Sequence, residues 1–165
     1  MTSNFDYGRP DNWDDPLVMP EIPDTLKRIL VAIDGSYQSE RALSQAAYMA
    51  KFTQAEVIVV VAYNPITKLH RRGLLPSEEI VEAMRLDAHV LANEATALLA
   101  ARNVNVRAIA ARGDPAEAIV ALAEDEAVSL IIMGHRGLGN IKRFLLGSVT
   151  ERVLQTSTIP VLIQP

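Results

Sequence analysis

From Lys27 onward the chain alternates short, continuous apolar runs with longer stretches of helical spacing, and this alternation leaves few folds open. KRILVAI (27–33), EVIVVVAY (56–63) and SLIIM (129–133) lack the polar residue at every second position that a strand with one wet face requires. Such runs are buried on both faces, as in a parallel sheet covered by helices. VNVRAIAA (104–111) alternates in part, and IPVLIQ (159–164) closes the series at five strands. Between them, Leu43, Ala46, Ala47 and Ala50 follow one helical stripe, and Ile80, Met84, Ala88, Leu91, Ala95 and Leu98 a longer one. Asp114, Pro115 and Glu117 make a cap, a first-turn proline and a capping-box acid for a third helix. A fourth is expected from about Gly147 to Gln155. The expected fold class is α/β: one doubly wound five-stranded parallel sheet, order 3-2-1-4-5, with helices on both faces.

A length of 165 residues with 49% hydrophobic content suits a single domain. Cysteine is absent, which removes disulfides, thiolate metal sites and thiol nucleophiles. No apolar run is long enough to span a bilayer and the first residues are acidic, so a soluble, cytoplasmic protein with no membrane partner is expected. Residues 1–26 carry six acids against one base, a local charge of −5, and four of the nine prolines. They read as an extended arm outside the domain of residues 27–165, although Phe5, Tyr7, Trp13, Leu17, Val18 and Met19 are costly to leave in water. The body of the chain is then close to neutral, with no general attraction for nucleic acid.

In an open doubly wound sheet, ligands bind beyond the carboxyl ends of the strands, where the strand order reverses. For this order the loop after Ile33, reading DGS, faces the loop after Met133, reading GHRGLGN. Gly134 and Gly137 allow close approach of backbone amides to an anion, and a helix opening at Gly147-Ser148 offers free N–H groups and the positive end of its dipole. Ser148 and Thr150 add hydroxyls. The same glycines also suit tight turns, and Ser148 a helix cap. Asp34 either caps the first helix or binds a ribose hydroxyl or a phosphate-borne metal ion, Ser36 and Ser39 being available as caps. No G-x-G-x-x-G, phosphate-loop or G-x-S-x-G pattern is present, and His70, His89 and His135 lack metal-ligand spacing. The segment Pro65–Pro76, with Lys68, Arg71 and Arg72, reads as a solvated loop or lid.

KRILVAIDGS, GDPAEAI and SLIIMGHRGLGNIKRFLLGSVTERVLQTSTIPVLI together resemble the universal stress protein family, over essentially all of residues 27–165. Gly134, two residues, Gly137, nine residues, then Gly147-Ser148 is similar to the family's ATP-binding signature. The resemblance implies a Rossmann-like fold of the adenine nucleotide alpha hydrolase type. It implies that ATP, or AMP, binds with Mg2+ at the switch point, and that a homodimer forms through the final strand, residues 159–164. By position, Asp34 would hold the ribose or assist the metal, and Ala62 would offer backbone atoms to adenine. Ala32 and Ile33 would line the pocket. Met133, Gly134, Gly137 and Gly147 would wrap ribose and phosphates, with Ser148, Val149 and Thr150 donating to the phosphate tail. His135 and Leu138-Gly139-Asn140 depart from the family's more polar turn, for which Arg136, Lys142 and Arg143 would compensate. A nucleotide-dependent regulatory module is the expected function. The alternatives are a nucleotide-free dimeric scaffold, or a slow ATPase or self-phosphorylating protein with no fast catalytic machinery.

Overall fold

The computed structural model describes residues 26–65, 76–138 and 146–165. Five strands, β1 (Arg28–Ala32), β2 (Glu56–Tyr63), β3 (Val106–Arg112), β4 (Leu130–Gly134) and β5 (Val161–Gln164), form one sheet in the order β3-β2-β1-β4-β5. Every pairing is parallel, with Ala32 opposite both Val60 and Met133 at the carboxyl end of β1. The fold class expected from the alternation is the one observed.

Strand residues alternate between two cores. Ile29, Val31, Val57, Val59 and Ile132 pack under α1 (Tyr37–Thr53) and α2 (Glu78–Ala100). Leu30, Ile58, Val60, Ile131 and Met133 face α3 (Pro115–Asp125) and α4 (Ser148–Thr156). With both faces buried, each of these side chains contributes about 1.5–3 kcal/mol of apolar transfer, which is why no polar alternation marks the strands.

The helix starts follow their capping chemistry. Asp114 accepts from the N–H groups of Ala116 (3.1 Å) and Glu117 (3.5 Å), with Pro115 at the first helical position. Ser36, not Asp34, caps α1, accepting from Ser39 N–H at 3.2 Å. Gly147 is the cap residue of α4, so Ser148 lies inside the helix rather than at its cap.

In α2 the buried stripe is Ala88, Ala92, Ala95 and Leu99. The expected stripe included Ile80 and Leu98, which are exposed. An i, i+4, i+7, i+11 path through small alanines buries the helix more closely on β2 and β3 than the bulkier residues one step away.

At the amino ends of the strands, Arg107 bridges Glu56 (2.9 Å) and Glu126 (2.5 Å), and Arg28 joins Glu56 at 3.1 Å. The hydrogen bond that Arg107 donates to Glu126, with a second to Glu56, raises its pKa against the burial that lowers it. This end of the sheet is pinned by charge, and the opposite end is left open. The acidic arm up to residue 25, Lys68, Arg71 and Arg72 of the expected loop, and Gly139, Asn140, Lys142 and Arg143 lie outside the described residues.

Candidate functional site

β1 and β4 are neighbours in the sheet, but the chain leaves β1 toward α1 on one face and reaches α4 on the other after β4. The two exits therefore separate and open a crevice at the carboxyl ends, which holds a cavity of about 340 Å3. All of the site residues named from sequence border it. Ala32, Ile33 and Asp34 come from the end of β1, Ala62 from β2, and Met133, Gly134 and Gly137 from the β4 exit. Gly147, Ser148, Val149 and Thr150 form the first turn of α4.

Asp34 ties the two exits together. Its Oδ1 accepts from Ser36 N–H at 3.0 Å and its Oδ2 from Leu138 N–H at 3.1 Å. Each carboxylate oxygen retains accepting capacity, and the residue is exposed at the cavity rim. Ser36 is buried and caps α1, which leaves Asp34 to organise the loop.

The glycines are required by the protein itself. A Cβ on Gly134 would stand 2.8 Å from Gln38 Cβ and 2.9 Å from its carbonyl carbon, and one on Gly137 would collide with Asp34 Oδ2. The β4 exit thus lies flat against α1 and against the Asp34 carboxylate. Both sequence readings of these glycines meet here, because the close chain approach they permit is what shapes the cavity wall.

Thr150 is buried, and its hydroxyl donates to the Gly134 carbonyl at 2.9 Å. Its single proton is spent inside the protein, so only its backbone N–H is available to a ligand. This corrects the expectation of a hydroxyl donor there. The α4 cap, Gly147, has no side chain to occupy the first-turn N–H groups, and no side-chain cap bond is made. Gly147 N–H donates to the His135 carbonyl at 2.8 Å, and His135 N–H donates to Gln164 O at 2.9 Å, which locks the β4 exit to both α4 and β5. His135 Nδ1 is buried without a hydrogen-bond partner.

Ala62 marks a step in the sheet. The ladder from β1 ends with Ile33 N–H donating to Val60 C=O at 3.0 Å, whereas β2 continues beside β3 to the Tyr63–Arg112 pair. Tyr63 C=O accepts from Gly113 N–H on the β3 side, so the N–H and C=O of Ala62, one residue earlier, face the crevice.

Sequence reasoning missed Val60, Pro115 and Ile119, which supply apolar wall, together with Ser39 and Leu146. Val60 was within reach, since it shares the face of Ala62 two residues on. Pro115 and Ile119 lie one helical turn apart behind the Asp114 cap. Also missed was Arg152 of α4, which grips Asp114 at 2.8 Å and Glu117 at 3.1 Å and so holds the α3 wall against α4. Burial pushes the Asp114 carboxyl up, but the Arg152 hydrogen bond and the backbone N–H groups of Glu117 and Ala116 outweigh it and hold it below its ordinary value.

Among the described residues there is no cluster of three or more His, Asp or Glu able to hold a metal. Asp34 is the one carboxylate bordering the cavity among them. This donor set does not fit a protein-held cation. It fits a metal delivered on a ligand's own phosphates, with Asp34 as an outer partner.

Fold and crevice together define a doubly wound α/β domain with a cavity at its switch point. The universal stress protein family model matches residues 25–165, and the chain belongs to that family. It is 36% identical over 143 residues to universal stress protein YxiE of Bacillus subtilis, spanning 82% of this chain and 97% of the relative. The solved structure of MJ0577, a universal stress protein of Methanocaldococcus jannaschii, is similar with a TM-score of 0.73 and 32% identity, over 85% of this chain and 96% of that one. A universal stress protein solved in complex with cAMP is similar with a TM-score of 0.59 and 28% identity, over 84% and 96%. No helix among the described residues is long and apolar enough to cross a membrane.

Proposed function

We propose that the switch-point cavity binds an adenine nucleotide, ATP or AMP, and that the protein is a cytoplasmic regulatory module whose loop order follows nucleotide state. One observation carries the reading: the uncapped amino end of α4 opens into an apolar cavity whose far rim carries Asp34. Helix amides favour phosphate, the walls of Val60, Ile119 and Met133 favour a flat base, and the spare lone pairs of Asp34 suit ribose hydroxyls. The Ala62 N–H and C=O offer the donor and acceptor that complement the N1 and N6 edge of adenine. The cAMP complex of a relative supports the same ligand class.

Mg2+ in this reading enters with the phosphates. Asp34 and Arg136 are the ionisable side chains that the described residues bring to the cavity, a set suited to binding and poor in general bases. Binding rather than rapid turnover is therefore the proposed role. A homodimer through β5 is part of the proposal, because its outer edge has no partner strand among the described residues.

Calorimetric titration of the purified chain with ATP, AMP and cAMP, with and without Mg2+, tests the site. Saturable heat abolished by Ser148→Pro, with the melting temperature of the free protein kept, is expected. Absence of heat with every nucleotide, and of any nucleotide released on denaturation, would leave the nucleotide-free scaffold as the correct reading.

A further inference from the structure

A second concavity lies far from the nucleotide cavity, between α1 and α2. It measures about 720 Å3, is floored by Leu43, Leu99 and Val104, and is flanked by Tyr48, Lys51 and Arg102. Its rim is unusually apolar for a helix surface: Tyr48 is 62% exposed and Leu98 57%, and Phe52, 70% exposed, stacks edge-on to Tyr48 at 4.9 Å. A patch of this kind marks a contact surface. Lys51 and Arg102 form no ion pair among the described residues, Arg102 donating only to the Leu98 carbonyl at 3.0 Å, so with Glu40 on the α1 wall the groove carries two cations against one carboxylate beside the aromatic pair.

The chain itself supplies a matching segment. Residues 1–25 carry six acids against one base and lie almost wholly outside the family match, which begins at residue 25. Within them WDDPLVM, Trp13–Met19, sets a tryptophan and three aliphatic side chains around two aspartates. Its tether ends at the same end of the sheet as the groove: Leu26 precedes β1, whose Lys27 C=O accepts from Glu56 N–H, and the groove residues Arg102 and Val104 precede β3, where Asn105 C=O accepts from Val57 N–H. Six residues separate Met19 from Leu26, and the seven Cα steps between them reach up to about 23 Å, close to the roughly 25 Å length of the 17-residue α1.

We propose that the segment Trp13–Met19 docks in cis into the α1/α2 groove, its apolar side chains on Tyr48, Phe52 and Leu98 and its aspartates toward Lys51 and Arg102. Pro16, Pro20 and Pro23 favour the extended backbone that a narrow groove accepts. Covalent tethering presents the segment at an effective concentration near millimolar, so weak intrinsic affinity suffices.

Trp13 is the chain's single tryptophan, so its fluorescence reads the docking directly. In the full chain its emission should be blue-shifted and protected from acrylamide quenching, independent of protein concentration. Leu98→Asp and Phe52→Asp, both at exposed positions, should abolish the protection while leaving the melting transition cooperative, and Asp14→Lys with Asp15→Lys should weaken it. A freely quenched Trp13 in the unaltered chain, protection untouched by the groove variants, or protection that appears only as concentration rises would each overturn the proposal. The last would assign the groove to a second copy.

Discussion

Asp34 and Leu138, 104 positions apart, are joined by a 3.1 Å hydrogen bond from the Leu138 amide to the Asp34 carboxylate. Through it the exits of β1 and β4 become one loop system, and the cavity rim is built by the protein's own bonds. Asp34→Ala removes both this bond and the one from Ser36 N–H. A loss of about 1–3 kcal/mol in chemical denaturation, and at least a tenfold weaker ATP affinity by calorimetry, is expected. Unchanged affinity would show that the carboxylate serves the loop alone.

Gly134→Ala tests the flat approach of the β4 exit to α1. Its methyl would lie 2.9 Å from the Gln38 carbonyl carbon, a backbone atom that cannot rotate away. A destabilisation of about 1–3 kcal/mol is expected from the overpacking. Gly137→Ala meets a side chain instead, the Asp34 carboxylate, so its larger effect should fall on nucleotide affinity measured by titration.

Thr150→Val and Ser148→Ala should part company. The buried Thr150 hydroxyl satisfies Gly134 C=O, so replacing it by a methyl costs about 1–2 kcal/mol of stability with little change in nucleotide binding. Ser148 is exposed at the first helical position, and its alanine variant should melt normally while binding ATP several-fold more weakly. Paired melting and titration curves distinguish the two.

The Ala62 edge makes a prediction about base selectivity. Guanine reverses the donor and acceptor that adenine presents at positions 1 and 6, so GTP would leave two buried groups facing like partners. Competition binding should favour ATP over GTP by about a hundredfold or more.

Arg152 acts through pH. The Asp114 carboxyl, held below its ordinary value, contributes stability that is present above the unfolded value near 4 and is lost as pH falls through the folded one. Arg152→Ala should therefore lower the melting temperature at pH 7, and the difference from the unaltered chain should shrink as pH drops below about 4. A gap that stays constant down to pH 3 would show that Arg152 acts by packing alone.

The strands, their order and the positions around the cavity were legible because each rests on local signals: buried apolar runs, the Asp114-Pro115 start, and the glycine spacing from Gly134 to Gly147. What escaped was anything set by a contact between distant elements. The α2 stripe slipped because Leu98 and Leu99 are equally apolar in sequence, and only the closeness of Ala88 and Ala92 to the sheet selects Leu99. Leu99→Ala should cost about 2–5 kcal/mol and Ile80→Ala under about 0.5, a direct check on that register. The Thr150 hydroxyl escaped for the same reason, since its acceptor, Gly134 C=O, lies 16 residues earlier.

The overhang of β2 past the end of β1, Val61 to Tyr63, has one more consequence. Its exposed edge at Ala62 consists of main-chain atoms, which every residue type except proline supplies alike. Drift in the side chains can reshape the walls around this edge and retune affinity, yet it leaves the hydrogen-bonding pattern intact. A main-chain edge of this kind is inherited with the strand lengths rather than with any particular amino acid.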